Sequence, residues 1–351
     1  MTGSLSRGLG AIGLLAILLL GPLGCAPTTD RQARLAGIGT ARAAPSPKPV
    51  PRILGDRFVT ADGTILPMRE WLPDGRPKAV ILALHGFNDY SDAFAGPGKA
   101  WAKLGIATYA YDQRGFGAAP GRGLWPGIFP LAADAATASE VLRKRYPGVP
   151  LYLLGESMGG AIAIVAMTGE SGAPIPDVDG VILVAPAVWG RAVMAPLKRI
   201  ALWVAVRLFP AWRLTGRGLG ILPSDNIPML RELSRDPLVI HSTRVDTLYG
   251  LVNLMGAALR SAPRLDVPLL LMYGAKDEII PKHAMRAFVR KLPSDPGARP
   301  RLAYYKNGYH MLLRDLEAPI PIGDVASWVL HPTAPLPSGA DRAGEKFFGR
   351  R

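Results

Sequence analysis

The sequence predicts an α/β protein, with a doubly wound, mostly parallel β-sheet that is flanked by helices and interrupted by one insertion. Apolar runs of strand length alternate with helix-like segments, a pattern typical of parallel strands joined by right-handed crossovers. Several of these runs are apolar at every position, as in strands buried on both faces. Between about residues 188 and 237 the alternation stops and Trp, Arg, Leu and Pro become frequent. This segment is therefore predicted to be an insertion outside the sheet.

The individual elements follow from local patterns. A hairpin is predicted where two strand-like runs flank Asp62-Gly63, at Arg57–Val59 and Ile65–Trp71. The other predicted strands are Ala79–Leu84, Ile106–Tyr111, Leu151–Leu154, Gly180–Ala185, Val267–Tyr273 and Arg301–Tyr305. The predicted helices are Asp92–Leu104, Pro130–Arg145, Ala161–Met167, Asp246–Ser261, Pro281–Leu292 and Pro321–Leu330.

Residues 1–24 are predicted to be a signal peptide of the lipoprotein type. Their apolar core, Leu9–Leu20, is shorter than the roughly 20 residues that span a bilayer, but it suits the central region of a secretory signal. Cys25, the single cysteine of the chain, stands where cleavage is expected and would be lipidated. Pro22 departs from the usual pattern, and an ordinary cleaved signal is the alternative. We expect an exported lipoprotein anchored in a bacterial cell envelope, on the periplasmic side.

The rest of the chain divides into three parts. Residues 25–54 are predicted to be a flexible tether because alternating prolines favour extended polyproline II. Residues 55–330 are predicted to be one α/β domain with its insertion, and residues 331–351 a loose basic tail.

The net charge of +14 indicates an anionic partner. No basic stripe with interleaved aromatics accompanies it, so nucleic acid is not expected. An anionic membrane surface or a phosphate-bearing lipid fits better, through the lipidated Cys25 and the basic insertion. A generally basic proteome would account for the charge equally well.

Ser157 is the candidate nucleophile. It lies in Gly155-Glu156-Ser157-Met158-Gly159, a G-x-S-x-G pattern between an apolar strand and an apolar helix. A sharp strand-to-helix turn projects its apex side chain outward, and the glycines avoid collisions with neighbouring elements. The bare pattern also fits a structural glycine-rich turn, so the partners elsewhere in the chain must decide.

The partners should follow the nucleophile in the order serine, acid, histidine. His310 is the candidate base because it follows the last predicted strand through a glycine turn. Asp277 is the first carboxylate on the loop after the preceding strand, and Glu278 is its neighbour. The sequence places the other histidines less suitably, and we assign His85 a structural role. These histidines are His85, His241, His283 and His331.

An oxyanion hole needs two N–H donors aimed at the developing charge. Met158, directly after the nucleophile, supplies one. Phe87, in the loop after the strand Ala79–Leu84, is the candidate for the other. Neither a cofactor nor a metal ion is expected.

Five motifs together resemble the α/β-hydrolases of the monoacylglycerol lipase and lysophospholipase group, which are serine aminopeptidase S33-type hydrolases. The motifs are HGFND, YDQRGFG, GESMGG, YGAKDEIIP and NGYHMLLRD, in this order. The resemblance covers about residues 55–330 and implies the α/β-hydrolase fold, with residues 188–237 as a cap. It also implies Ser157, Asp277 and His310 as nucleophile, acid and base, and Phe87 and Met158 as oxyanion donors. Asp112 and Arg114 lie in a turn that we interpret as structural.

The predicted function is hydrolysis of carboxylic esters, with a lipid monoester such as a monoacylglycerol or lysophospholipid as substrate. The alternatives are a proline-type aminopeptidase, a cofactor-free haloperoxidase, or an inactive binding lipoprotein. Within the cap, Met194–Phe209 is predicted to be a helix that lines an acyl tunnel with Trp203, or else to be buried core.

Overall fold

The structure, a computed structural model, describes residues 49–349 except 217, 219 and 294–299. A nine-stranded sheet in the order β1-β2-β3-β5-β4-β6-β7-β10-β11 lies at its centre, and β8 and β9 pair separately. The strands are β1 Arg52–Leu54, β2 Arg57–Val59, β3 Ile65–Trp71, β4 Ala79–Leu84, β5 Ile106–Tyr111, β6 Leu151–Glu156, β7 Gly180–Val184, β8 Arg213–Leu214, β9 Thr243–Arg244, β10 Leu269–Gly274 and β11 Arg301–Tyr305.

The sheet is parallel from β5 to β11 and antiparallel at β1, β2 and β3. The predicted hairpin is confirmed, since β2 and β3 pair with Val59 opposite Ile65. In the parallel part, Leu84 of β4 pairs with Gly155 of β6, and Gly274 of β10 pairs with Tyr305 of β11. The carboxyl ends of these strands therefore lie along one edge of the sheet, as the predicted fold requires.

Helices cover both faces of the sheet. Alternate residues of β4 enter two different hydrophobic clusters, Val80 and Leu82 on one face and Ile81 and Ala83 on the other. This is the two-sided burial that the continuous apolar strand predicts. The helices are α1 Ala95–Ala102, α2 Ile128–Arg145, α3 Met158–Met167, α4 Pro196–Leu208, α5 Ile227–Leu233, α6 Val245–Ser261, α7 Lys282–Lys291, α8 Pro319–Leu330 and α9 Ala340–Phe348.

The insertion forms a cap made of α4, β8 and α5. Its β8 pairs with β9 through Arg213 and Arg244, so the cap extends a few residues beyond the predicted limit of 237. Contrary to the alternative of buried core, α4 buries only Val206 and leaves most of its surface exposed. None of the helices in the described part of the chain has the length and apolar character needed to cross a membrane.

The boundary of the predicted tether is wrong at its carboxyl end. Arg52–Leu54, assigned to the tether, form β1 and pair antiparallel with β2. This pairing satisfies backbone groups that a tether would leave to solvent, so the folded domain begins at about residue 52. The signal peptide, Cys25 and the tether up to residue 48 lie outside the described residues.

The prediction of a loose tail over residues 331–351 is also wrong. Ala340–Phe348 form α9, which packs against β11. Leu336 and Ala340 are buried, and the Phe347 ring stacks on Tyr304 with 4.0 Å between ring centroids. The spacing of Ala340, Gly344 and Phe347 is a helical pattern that the glycine-rich and charged composition had hidden.

Candidate active site

Ser157 occupies the sharp turn between β6 and α3. Its φ of 52° places it in the left-handed region, which a serine adopts only when the surroundings impose it. A Cβ on Gly159 would lie 2.0 Å from the Leu84 carbonyl oxygen, and one on Gly155 would lie 2.4 Å from the Gly159 backbone. Both glycines are therefore required by close approach, as the motif predicts.

Asp277 and His310 are brought together from loops that follow β10 and β11. The His310 Nδ1 lies 2.9 Å from the Asp277 Oδ2. The other carboxylate oxygen accepts hydrogen bonds from the backbone N–H groups of Ile279 and Ile280, at 2.8 and 2.9 Å. Glu278 instead accepts from the Leu222 N–H of the cap at 2.9 Å. Asp277, the acid predicted from the sequence, is thus the carboxylate that contacts His310, and Glu278 is not.

The environment of His310 favours its protonated form on balance. Burial lowers the pKa of the imidazole, but the charge and hydrogen bond of Asp277 and the charge of Glu156 raise it above the ordinary value. An imidazole held in this way accepts a proton readily, as a general base must.

The two predicted oxyanion donors lie beside Ser157. Met158 is the first residue of α3, where a backbone N–H lacks a partner within the helix. Phe87 follows Gly86, on which an added Cβ would lie 3.5 Å from the Ser157 Cβ. The loop after β4 therefore lies against the nucleophile, and Phe87 lines the same cavity as Ser157.

The residues interpreted as structural occupy structural positions. His85 is fully buried, its Nδ1 bonds to the Gly86 carbonyl at 2.8 Å, and its Nε2 accepts from the Gln113 N–H at 3.0 Å. Arg114 is buried and pairs with Asp134 and Asp62. Asp112 accepts hydrogen bonds from Ser91 and from the Ala118 N–H.

A buried group of charges beside the site was missed by the sequence analysis. Arg314 lies 2.6 Å from an Asp89 carboxylate oxygen and 3.6 Å from Glu156 Oε1. Burial raises the pKa of Glu156, although Arg314 opposes that shift. The three residues come from the loops around Phe87, Ser157 and His310, so this cluster ties together the loops that carry the site. Each of the three lies within one of the quoted motifs, HGFND, GESMGG and NGYHMLLRD, but nothing in the sequence showed that they contact one another.

Ser157 and His310 open into a cavity of about 1210 Å³ between the sheet edge and the cap. Much of the lining is apolar, and it includes a helical stripe on α6 at intervals of three and four residues. The lining also contains charged residues, among them Asp89, Glu156 and Arg314. The apolar lining residues include Trp189, Val193, Met194, Leu202, Leu248, Leu251, Val252 and Met255.

The expectation that Trp203 lines this cavity is wrong. Leu202 and Lys198 of α4 line it, whereas Trp203 is half exposed and lies on another face of the helix. Adjacent residues on a helix point about 100° apart, and the apolar run around Trp203 did not reveal which of them faces the sheet.

Comparison with known proteins identifies the family. A profile of the family described as serine aminopeptidase, S33, matches residues 75–317. The monoglyceride lipase of Rattus norvegicus is 29% identical over 292 residues, covering 82% of this chain and 93% of the relative. The monoacylglycerol lipase of Mycolicibacterium smegmatis is 25% identical over 286 residues, with 78% and 95% covered.

Solved structures agree on the fold. A soluble variant of the monoglyceride lipase of Saccharomyces cerevisiae, in complex with a substrate analogue, superposes with a TM-score of 0.62 at 22% identity. The match covers 82% of this chain and 98% of that one. The sheet order, the cap and the family match lead to one conclusion: the chain belongs to the serine aminopeptidase S33 family and has the α/β-hydrolase fold.

Proposed function

We propose that this protein is a serine hydrolase that cleaves the carboxylic ester of a lipid monoester, such as a monoacylglycerol or a lysophospholipid. The observation that carries the proposal is the meeting of Ser157 and the Asp277–His310 pair at one edge of the sheet, in a cavity with an apolar wall. The similarity to monoglyceride lipases supports the choice of substrate.

Each residue has a defined role in this proposal. His310 accepts the proton of the Ser157 hydroxyl as its oxygen attacks the ester carbonyl carbon. The N–H groups of Phe87 and Met158 stabilise the oxyanion that forms. The alcohol leaves with the proton from His310, and an acyl-enzyme remains. Water, activated by His310, then attacks the acyl carbon, which releases the fatty acid and restores Ser157.

The cavity suits an ester of moderate size. Burial of an acyl chain against the apolar wall contributes about 0.8 kcal/mol per methylene. The carboxylates in the lining already contact Arg314 or the cap backbone. A substrate ammonium would have to compete with these contacts, which weighs against the aminopeptidase alternative.

The location of the protein is part of the proposal. The sequence of residues 1–25 supports export and lipidation of Cys25, and the tether supports a catalytic domain held near the surface of the bacterial envelope. Such a position would give the enzyme direct access to membrane lipid monoesters.

The central test is to label the wild-type protein with a fluorophosphonate and map the adduct by mass spectrometry. We expect the adduct on Ser157 alone. Ser157→Ala should fold normally and lose ester hydrolysis by several orders of magnitude, because no other group then forms the acyl-enzyme. Retained hydrolysis in a clean Ser157→Ala preparation would refute the proposal.

A further inference from the structure

A second cavity lies on the side of α4 that faces away from Ser157. It has a volume of about 540 Å³ and is lined by Arg191, Arg199, Ile200, Trp203 and Tyr249, among others. We call it the cap groove. Leu202 borders both the cap groove and the catalytic cavity, so α4 forms a wall between them.

The cap groove carries positive charge that no acidic side chain neutralises among the described residues. The Arg191 guanidinium lies over the Tyr249 ring at 4.5 Å, and that of Arg207 lies over the Trp203 ring at 3.7 Å. Over the described ranges, neither of these arginines nor Arg199 forms an ion pair. The sequence explains this, because residues 180–224 contain no Asp or Glu.

Arg191 gives the clearest indication of a ligand. One of its terminal nitrogens is buried and finds no hydrogen-bond partner in the part of the chain that the structure describes. A buried guanidinium nitrogen without a partner is unfavourable, and a carboxylate or phosphate oxygen would satisfy it. Arginine beside aromatic rings is also the arrangement that binds planar or tetrahedral anions well.

The surroundings of the cap groove are apolar as well as basic. Ile200, which lines the groove, is 59% exposed, and Leu197 and Leu208 on the same face of α4 are 78% and 62% exposed. A small hydrophilic anion would leave this apolar surface in water, whereas the acyl chains of a lipid would cover it. The combination of unpaired arginines and exposed apolar side chains therefore matches an anionic amphiphile.

We propose that the cap groove binds the phosphate head group of an anionic phospholipid in the membrane surface. Arg191 and Arg199 contact the phosphate, and Trp203 with the exposed leucines lies among the acyl chains. The cap would thereby be held at the lipid surface while the opposite side of α4 forms part of the catalytic cavity. The supply of substrate from that surface rests on the proposed function, but head-group binding does not.

The test measures binding of dissolved short-chain lipids by titration calorimetry. The full chain with Ser157→Ala is titrated with dihexanoyl-phosphatidylglycerol, dihexanoyl-phosphatidylcholine and inorganic phosphate, each lipid below its micelle concentration. We expect the phosphatidylglycerol to bind more tightly than the other two. Arg191→Gln with Arg199→Gln should weaken that binding about 25-fold, at about fivefold for each arginine.

The matched control removes the same charge elsewhere. Lys99→Gln with Lys103→Gln, two exposed residues at the end of α1, should leave the binding of phosphatidylglycerol unchanged. If the double arginine variant does not fold, Arg199→Gln alone is tested, because Arg199 is exposed. It should weaken the binding of phosphatidylglycerol about fivefold.

Three outcomes would overturn the inference. They are equal binding of the two lipids, binding of phosphate as tight as that of phosphatidylglycerol, and equal effects of the arginine and lysine pairs. With Ser157 intact, the double arginine variant and the double lysine variant should both still hydrolyse p-nitrophenyl butyrate. Failure of the proposed function would appear separately, as hydrolysis that survives Ser157→Ala.

Discussion

At the scale of single residues, His310 depends on the two oxygens of Asp277. One oxygen contacts the ring Nδ1, and the other is held by the backbone N–H groups of Ile279 and Ile280. The carboxylate therefore has one orientation and imposes one tautomer on the imidazole. Neighbouring Glu278 contacts the cap instead and provides a control of the same charge.

Asp277→Asn should lower turnover by about 10³–10⁴-fold, because the amide favours the wrong tautomer of His310. Asp277 raises the pKa of His310, and activity is lost as pH falls through that pKa. The residual activity of Asp277→Asn should therefore persist to lower pH than that of the wild type. The measurement is kcat/KM of a soluble ester against pH. Glu278→Gln should leave both turnover and the acid limb of the pH profile nearly unchanged. If Glu278→Gln lowered turnover more than Asp277→Asn does, Glu278 would be the residue that orients His310.

At the scale of elements, α4 presents different side chains to two cavities. Leu202→Ala should lower kcat/KM for medium-chain esters about fivefold and leave an acetyl ester unaffected, since the lost carbons contact only a longer chain. Trp203→Ala should not change how kcat/KM for soluble esters depends on acyl chain length, because Trp203 lies outside the catalytic cavity. A panel of p-nitrophenyl esters measures both. If Trp203→Ala flattens the chain-length dependence and Leu202→Ala does not, our orientation of α4 is wrong.

The carboxyl-terminal helix α9 should contribute to the stability of the domain. A Cβ on Gly344 would lie 1.8 Å from the Leu302 carbonyl oxygen of β11, so Gly344→Ala must displace the helix. We expect a loss of about 1–3 kcal/mol in the free energy of unfolding. Gly323→Ala in α8 meets no atom within 4 Å and should be neutral or slightly stabilising. Urea denaturation compares the two, and equal stabilities would mean that α9 is not docked in solution.

At the scale of the whole molecule, the predicted tether would set the reach of the catalytic domain from a lipidated Cys25. Cys25 and Arg52 are 27 positions apart, a distance that polyproline II would span in about 80 Å. In a bacterial host, Cys25→Ser should move the protein from the membrane fraction to the soluble fraction, because the residue that we propose to carry the lipid is lost. Fractionation with labelled palmitate measures this. Wild-type protein that is soluble, with its amino terminus downstream of Cys25, would contradict the prediction.

Much of the fold was predictable because its signals are local. β4 and β7 are apolar at every position, and only a strand buried on both faces tolerates that. The order of Ser157, Asp277 and His310 along the chain was equally informative, since each follows a strand whose carboxyl end meets the same edge. Two elements were missed: β1, a three-residue strand that pairs with β2 across the turn Gly55-Asp56, and α9, a helix containing glycine that is held by packing against β11.

The sequence was enough to predict the α/β class, the strand-to-helix turn at Ser157 and the residues that meet there. The folded structure was needed to show how both oxygens of Asp277 are held, which face of α4 lines the catalytic cavity, and that Arg314 joins Asp89 and Glu156. Asp89 and Arg314 are separated by 225 positions along the chain. Such contacts depend on how complete elements pack, whereas strand and turn signals arise from the backbone and side-chain preferences of adjacent residues.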